Sequence, residues 1–468
     1  MNVWPLRFTD VGRDALLFSD EAGGFFRSDD AFLKRYANHT LTEADLDFLL
    51  ENGHSFEGES DRHHVGFAAR WAKRQFVPGP LDYVILVPTL RCDLACRYCQ
   101  VSRVNASALG FDWTEATLEA TITLLGSLSS DRIKIEFQGG EPLLRLDLLS
   151  RVRDFCRERF GSAEFVVCTN LQNVSEEAWA FLAAPDTFVS TSFDGDALTH
   201  TRQRTFDSAQ TIAFLANLER AMSTLGASKV SALPTIDPED PPAPGAIIAS
   251  FAQLGLRSIY LRPVNYHGFA RKRYGQGDPE LWNNYYQRFI DALIAYNANA
   301  AEPMEEFYLS HCLRRIFRAG HHGHVDLRNP NILGADYLVV DHDGTLYPTD
   351  EARMMTRVGQ IDLSIGSVFG GLNQERLQIL NANAENNFHE DCGQCAFQPF
   401  CGVDVIDDLS RYGRIDLTKH ETAFCRRHMA LFTKIFDLIY RKDAATRRSL
   451  AAWLGVPAFD PALAPVHR

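Results

Sequence analysis

The sequence is poor in the features that would send a protein into a membrane or out of a cell. No apolar run approaches the length of a membrane span. The opening M-N-V-W-P-L-R-F-T-D has no basic stretch followed by an apolar one, so no signal peptide is expected. Positive charge is also short: 47 Lys and Arg against 60 Asp and Glu leave a net charge of −13. That argues against general nucleic-acid binding through phosphate neutralisation, although a local basic cleft stays open. The ten cysteines are not spread like a secreted disulfide framework, because seven of them fall into short-spaced clusters. Such spacings suit metal ligands in a reducing compartment. The expected location is the cytoplasm, with neither nucleic acid nor membrane as a partner.

What is present centres on V-P-T-L-R-C-D-L-A-C-R-Y-C-Q-V-S-R-V, residues 87–104. Cys92, Cys96 and Cys99 stand in C-x3-C-x2-C spacing just after a strand-like run, Tyr83–Val87, and Tyr98 immediately precedes the third cysteine. Three thiolates can hold three irons of a [4Fe–4S] cube and leave the fourth iron free to bind a small molecule. Structural zinc is the alternative, but zinc prefers four protein ligands, usually as two short pairs, and no fourth ligand is near.

At 468 residues the chain has room for two or three domains. Residues 1–78 read as a small α+β region: extended pieces at Ala15–Phe18 and Gly24–Arg27, then helical patterns at Asp30–Tyr36 and Thr42–Glu51 with Thr42 as N-cap. It faintly resembles the peptide-recognition element of ribosomal-peptide maturases; a plain extension packed on the next domain is the other reading. Residues 79–300 alternate strands (Tyr83–Val87, Ile133–Phe137, Phe165–Thr169, Phe188–Ser192, Val230–Leu233, Ile259–Leu261) with amphipathic helices. Six such units predict an α/β fold, a partial (β/α)6 TIM-like barrel, with its chemistry at the C-terminal strand ends. In 301–440, a hairpin at Asp336–Val340 and Thr345–Tyr347 precedes a cysteine-rich stretch and a helix from Phe424 to Tyr440. Residues 441–468 form a tail, helical at first, then Pro/Ala-rich and peripheral.

The strand ends carry the remaining motifs. Gln138-Gly139-Gly140-Glu141-Pro142 follows the second strand; two glycines let the backbone approach a ligand closely and proline fixes the exit. Asn170 follows the third strand, and Ser192-Phe193-Asp194-Gly195 closes the fourth, with His200 and Arg204 beyond it. Arg262-Pro263-Val264-Asn265 and Gly268 follow the sixth. Taken singly, each is also a turn or cap signal.

Taken together, the cysteine triad, G-G-E-P one strand later, and S-x-D-G followed by H-x3-R resemble the radical S-adenosylmethionine (radical SAM) superfamily. The resemblance implies that the amino and carboxylate groups of SAM chelate the fourth iron. It implies that Gly139, Gly140 and Glu141 hold the SAM amino group, and that Asn170, Ser192, Asp194 and Arg204 bind its ribose and carboxylate. Tyr98 belongs to the same cofactor set, and Arg262 is placed to hold SAM or substrate. One electron, from an external donor such as flavodoxin or ferredoxin, would then yield a 5′-deoxyadenosyl radical that takes a hydrogen atom from substrate.

Cys392, Cys395 and Cys401 give C-x2-C-x5-C, with Cys425 on the final helix. A zinc knuckle is one reading. The pattern also resembles the SPASM extension of peptide-modifying radical SAM enzymes, which implies one auxiliary [4Fe–4S] cluster coordinated by all four cysteines. That family usually carries a second auxiliary cluster, and here the chain departs from it: Thr349 and Val405 stand where cysteines are expected. Cys312 would be a remnant of that set, and Asp404 an unusual ligand. Asp350 follows the vacant position; in anaerobic sulfatase-maturating enzymes the corresponding aspartate is a general base, which implies that role here, while a turn or a carboxylate paired with Arg353 is the other reading. Cys156 and Cys168 are expected to be small buried hydrophobes.

In detail the stretches T-L-R-C-D-L-A-C-R-Y-C-Q-V-S-R, I-E-F-Q-G-G-E-P-L-L, S-T-S-F-D-G, Y-L-R-P-V-N-Y-H-G-F-A, Y-P-T-D-E-A-R-M and C-A-F-Q-P-F-C-G-V-D resemble the His-Xaa-Ser system radical SAM maturases. This implies a ribosomally synthesised precursor peptide with His-x-Ser repeats as substrate and a second radical SAM maturase as partner. The implied reaction is intramolecular crosslinking through a C–C or ether bond. Epimerisation, with Cys312 as hydrogen donor, and oxidation of serine to formylglycine are other outcomes of the same machinery. A cluster-bearing partner without catalysis of its own is the reading from a different class.

Overall fold

The computed structural model describes residues 1–12, 15–58, 60–265, 267, 270, 277–321 and 323–467. Its centre is a run of parallel strands in the spatial order Tyr83–Leu86, Arg132–Phe137, Ser162–Cys168, Thr187–Thr191 and Val230–Ala232. The helices Glu115–Gly126, Leu146–Arg159, Glu176–Leu182, Ser208–Leu225 and Pro244–Gln253 alternate with them. Polar caps start these helices where the pattern requires: Thr114, Ser175 and Asp207 accept the exposed N–H groups of Thr117, Ala178 and Ala209. The two-residue period of each strand sorts its side chains. Val84, Leu86, Ile133, Ile135, Phe137, Phe165 and Val167 pack with the helices in one apolar core. On the opposite face Tyr83, Lys134, Glu136 and Cys168 meet one another. This is the expected α/β partial barrel.

The sixth unit differs from a simple continuation. Ser258–Ile259 pairs in parallel with Glu305–Glu306, and Arg262–Pro263 with Thr235–Ile236. Pro234 has no N–H to give, so the fifth ladder stops before it and resumes on a new partner. The expected hairpin, Tyr337–Val340 and Thr345–Tyr347, forms, but its first strand lies parallel to Tyr83–Leu86 and extends the sheet. With Gly366–Ser367 and Gly371–Leu372 the sheet reaches nine strands. The hairpin therefore covers the edge of the first barrel strand, an edge that would otherwise be open to unwanted pairing.

The N-terminal region has a three-stranded antiparallel sheet, Arg7–Asp10, Leu16–Ser19 and Phe25–Ser28. The helices Asp30–Ala37 and Glu43–Glu51 follow, the second closed by a Thr42/Asp45 capping box. A third helix, Arg62–Arg74, was not evident from sequence. Its last residue is a buried clamp: Arg74 donates to the carbonyls of Ala22, Arg315 and Ile316 at 2.7, 2.8 and 3.1 Å. The sheet also touches the second cysteine stretch, through Ser19 Oγ to the Ala396 carbonyl at 2.6 Å and Arg7 to Gln398 at 2.7 Å.

The tail corrects an expectation. Its helix Ala444–Leu454 is integral, with Leu450 and Trp453 in the main core and the Trp453 indole donating to the Met304 carbonyl at 3.0 Å. The sequence beyond residue 441 looked peripheral because its apolar stripe is short. No helix among the described residues is long and apolar enough to cross a membrane.

One buried carboxyl joins the broken ladder. Glu306 receives the N–H groups of Leu261 and Leu309 at 3.1 and 2.7 Å and the Tyr286 hydroxyl. Burial raises its pKa from 4.5 to about 7, so folding favours the protonated form. Its stabilisation is complete below pH 4.5 and is lost as pH rises through 7. Glu306→Gln keeps one acceptor oxygen, for the Leu309 N–H and the Tyr286 hydroxyl, and gives up the acceptor for the Leu261 N–H. It does not titrate, so its constant cost is separable from the pH-dependent part. The unfolding free energy of the native protein relative to this variant is expected to fall by about 3 kcal/mol across that interval, measured by denaturant titration at several pH values.

Candidate active site

The first cysteine stretch leaves the end of the Tyr83–Leu86 strand and runs over the neighbouring strand ends. Arg91–Cys92 pairs with Val104–Asn105, closing the stretch into a loop. Arg91 anchors its base, with Nε 2.8 Å from Asp112 and Nη1 3.0 Å from the Ala106 carbonyl. Within the loop Cys92 is buried, Cys96 and Cys99 are partly so, and none is in a disulfide.

The G-G-E-P turn sits directly against this loop. The Gly140 and Glu141 N–H groups donate to the carbonyls of Thr89 and Arg91 at 3.0 and 2.8 Å. Gly139 has φ +146°, and a Cβ on Gly139 or Gly140 would lie 2.3 Å from the Thr89 oxygen or 2.2 Å from the Arg91 oxygen. The close approach that two glycines suggested is thus to the chain's own cysteine loop. Glu141 points inward and accepts the N–H groups of Asn170 and Leu143 at 2.8 and 3.1 Å. Burial raises its pKa to about 7.

Asn170 reaches back to the loop, with Nδ2 2.6 Å from Asp93 and 3.8 Å from the Cys92 sulfur. At the other side, the Tyr98 hydroxyl contacts both oxygens of Asp194 at 2.7 and 2.8 Å and receives Arg204 at 2.8 Å. Burial raises Asp194 to about 6, against the opposing pull of Arg204. Ser192 lies half-buried beside this knot. Arg262 stacks over Tyr260 at 5.4 Å, and its Nε is buried without a partner. His200 is turned away from this set: it stacks on Phe214 at 4.2 Å, and burial lowers its pKa to about 2. Gly268 lies outside the described residues.

Sequence reasoning missed three groups here. Asp93 is one; its position inside the cysteine motif was the available signal. Glu136 and Tyr83 are the others, on the inner face of apolar-looking strands. Cys168 is corrected as well: its thiol donates to Glu136 at 3.2 Å on the inner face and is not a core hydrophobe. Cys156 is fully buried in the helix core, as expected.

The second cysteine set converges. Cys425, Cys392 and Cys395 all lie close enough to raise the Cys401 thiol electrostatically, after burial itself. Among the described residues, three or more His, Cys, Asp or Glu ligand atoms mutually within 4.8 Å occur only at Asp341, His342 and Asp343. Burial keeps the Cys92 thiol neutral, with a pKa of about 12; a bound cation must displace its proton. Sulfur-only donors are the ligand set that iron–sulfur clusters take.

Cys312 is fully buried and is not among the residues lining the cavity between the barrel rim and the C-terminal extension. Thr349 caps the helix Asp350–Arg357 through the Ala352 N–H at 3.0 Å. Val405 packs with Ala352, Met355 and Val403. Asp404 is a helix cap, accepting the N–H groups of Ile406 and Asp407 at 3.0 and 2.9 Å.

A cavity of about 320 Å³ lies between the barrel rim and the C-terminal extension. Gln100, next to Cys99, opens onto it, as do Arg262, Glu351, Asp404 and Tyr308. Asp350 is paired with Arg353 at 2.8 Å and is absent from this wall. Burial raises the pKa of Asp350, with Arg353 opposing. Its neighbour Glu351 does face the cavity, and burial together with Asp350 raises it to about 7.

Residues 86–226 match the Radical SAM superfamily. The fold and this match define a radical SAM domain, the domain of SAM-dependent radical enzymes. Among solved structures the chain is similar to anSMEcpe with bound AdoMet, at TM-score 0.59 and 18% identity, covering 76% of this chain and 97% of that one. The same protein with AdoMet and the Cp18Cys peptide gives TM-score 0.59 at 17% identity over the same shares. Among curated proteins it is 28% identical over 117 residues to the uncharacterized protein MJ0907 of Methanocaldococcus jannaschii. That match covers 25% of this chain, which spans 39% of the length of that relative.

Gly140→Ala forces a methyl group into the Arg91 carbonyl. It is expected to lower stability by about 2 kcal/mol or more and to lower the iron bound after anaerobic reconstitution. Gly245→Ala, where nothing lies within 4 Å of the new carbon, is expected to change neither. Thermal unfolding and colorimetric iron analysis read both.

Proposed function

We propose that this chain is a radical SAM enzyme that modifies a ribosomally synthesised peptide. The observation that carries the reading is spatial: the Cys92–Cys99 loop, locked to Gly140 and Glu141, continues into Gln100, which lines a partly open cavity of about 320 Å³. A cavity of that size takes one or two side chains of a peptide, not a folded domain. The peptide-bound form of anSMEcpe supports the same choice of substrate.

Cys92, Cys96 and Cys99 would hold a [4Fe–4S] cluster, which would supply the one-electron chemistry for reductive cleavage of SAM. Cys392, Cys395, Cys401 and Cys425 would hold a fully ligated auxiliary cluster. Around SAM, the assigned roles are Glu141 and the Gly139–Gly140 backbone at the amino group, and Asn170, Ser192, Asp194 and Arg204 at the ribose and carboxylate. Tyr98 fixes the Asp194–Arg204 pair. Arg262 offers a free donor toward the cavity.

The reaction assigned is intramolecular crosslinking, C–C or ether, at His-Xaa-Ser-type motifs, as in the His-Xaa-Ser system maturases. A second radical SAM maturase and a flavodoxin or ferredoxin electron donor are the proposed partners. Bond formation requires loss of a proton from the attacking group. Glu351 faces the cavity with a pKa of about 7, which suits a general base at neutral pH. Burial raises Glu351 first, and Asp350, next to it in sequence and charge-paired with Arg353, adds to the rise. Both carboxylates are therefore assigned to the proton step, with Glu351 the one in contact with substrate.

Anaerobically purified protein is expected to carry about eight irons and eight sulfides per chain; zinc without sulfide would overturn the reading. With dithionite and SAM it should release 5′-deoxyadenosine, and Cys92→Ala should release none. Mass spectrometry of a co-expressed precursor should show loss of two hydrogens. An unchanged mass with deuterium uptake from heavy water would mean epimerisation instead.

Glu351→Gln is expected to abolish crosslinking while SAM cleavage persists. Asp350→Asn removes a charge that raises Glu351, so the acidic limb of the pH–rate profile for crosslinking should move to lower pH.

A further inference from the structure

The hairpin turn beside the barrel rim carries three metal-ligating side chains in a row. Asp341 follows directly on Tyr337–Val340, the strand laid parallel to Tyr83–Leu86, so the turn stands at the C-terminal end of the sheet. Its backbone is fixed from both sides. The Asp341 N–H donates to the Thr345 carbonyl at 2.9 Å, and the Gly344 N–H to the Asp341 carbonyl at 3.0 Å. The Trp113 indole donates to that same carbonyl at 2.8 Å. Gly344 closes the turn at φ +84°, where a Cβ would also lie 2.8 Å from Val368.

The side chains of Asp341, His342 and Asp343 converge. One ligand atom from each lies within 4.8 Å of the other two. Asp341 is 0% exposed and His342 7%. Phe111 lies against the His342 ring, 5.8 Å between centroids and 19° from parallel, which holds the imidazole in place. Asp343 is exposed and gives the cluster a way in from solvent.

Two of these groups have atoms without partners. Asp341 Oδ1 accepts the His342 N–H at 2.8 Å, but Oδ2 is buried and makes no hydrogen bond. His342 Nδ1 is likewise buried and unbonded. It lies 3.4 Å from Asp341 Oδ1, so it is aimed into the cluster, yet the pair do not satisfy each other. Arg353 approaches Asp341 Oδ1 only to 3.7 Å and is committed to Asp350 at 2.8 Å. One guanidinium thus serves two carboxylates, and Asp343 adds a third negative charge beside them. Buried polar groups left without partners are rare in folded proteins and call for an occupant. Water would bond to them but leave the carboxylates repelling one another; a cation removes both deficits.

We propose that Asp341, His342 and Asp343 bind one divalent transition-metal ion of the Mn²⁺ class, which pins the hairpin turn at the barrel rim. Two carboxylates and one imidazole, with no thiolate, suit such an ion, and water fills its remaining positions. Mg²⁺ and Ca²⁺ prefer oxygen alone. The assignment stands apart from the radical chemistry, because no cysteine and no wall residue of the cavity takes part.

The test is Mn²⁺ titration of the anaerobically purified full chain, with free Mn²⁺ read from its room-temperature EPR signal. About one Mn²⁺ per chain is expected to bind saturably. By pulsed EPR the bound ion should couple to a single imidazole nitrogen, and His342→Gln should remove that coupling. His342→Gln and Asp343→Asn should each weaken binding at least about tenfold. Asp343→Asn is the variant safest for folding, because the position is exposed and the amide oxygen still accepts the Thr345 N–H that Asp343 takes at 3.0 Å. Mn²⁺ should raise the thermal unfolding midpoint of the native chain and leave that of both variants unmoved. No saturable binding at about millimolar Mn²⁺, binding that survives both substitutions, or a bound ion without imidazole coupling would each overturn the proposal. Cys92→Ala protein should bind Mn²⁺ as the native chain does; loss of binding there would assign the ion to the cysteine loop instead.

Discussion

Two backbone hydrogen bonds hold the candidate site together: Gly140 to the Thr89 carbonyl and Glu141 to the Arg91 carbonyl. They bring the G-G-E-P turn into contact with the cysteine loop at a distance only a residue without Cβ allows. Once the turn is seated, Glu141 has one place to go, inward, where Asn170 meets it from the third strand. Asn170 in turn reaches Asp93 and Cys92. The Tyr98–Asp194–Arg204 knot fixes the far end of the same loop to the fourth strand. A loop of three cysteines is thereby clamped at both ends before any ligand arrives, and ligand binding need not bear the entropy of ordering it.

The same barrel has two chemically different faces. The helix side is hydrocarbon, and its packing sets the spacing of the strands. The inner side is mixed: Ile85, Val87 and Val339 form a small apolar cluster beside Tyr83, and Glu136 is bonded to both Tyr83 and Cys168. Burial raises Asp350 and Glu351, and Asp350 adds to the rise of Glu351. Arg353 supplies the compensating charge at Asp350. The C-terminal extension completes this environment because its Tyr337–Val340 strand is stitched to the first barrel strand. The N-terminal sheet is tied in through Arg74 and through Ser19 and Arg7 at the second cysteine stretch.

Much of this was legible in the sequence where a local pattern had a local cause. The five central strands, their intervening helices and the hairpin follow from hydrophobic period and turn residues, and they lie within a few residues of expectation. The Arg62–Arg74 helix escapes a sequence reading although its apolar residues recur at helical period; its low overall hydrophobicity and basic content make it resemble a solvated linker. The tail was misread for a similar reason: Trp453 and Leu450 earn their burial from partners on distant helices. Asp350 and Glu351 are adjacent in sequence, and nothing local says which of them faces the cavity.

The sequence by itself determined the chemistry of the donors: three cysteines, a glycine pair, a buried acid and a second set of four thiols. Those are properties of residue type and spacing, which survive without coordinates. Tertiary structure alone decided which groups meet. It set the glycine turn against the chain's own carbonyls, turned His200 into a stacking ring and Cys168 toward Glu136, and brought Arg27 and His467 together from opposite ends of the described chain. The reason is that contacts between distant segments depend on the path of the sheet and the shape of the core, and no single stretch encodes either.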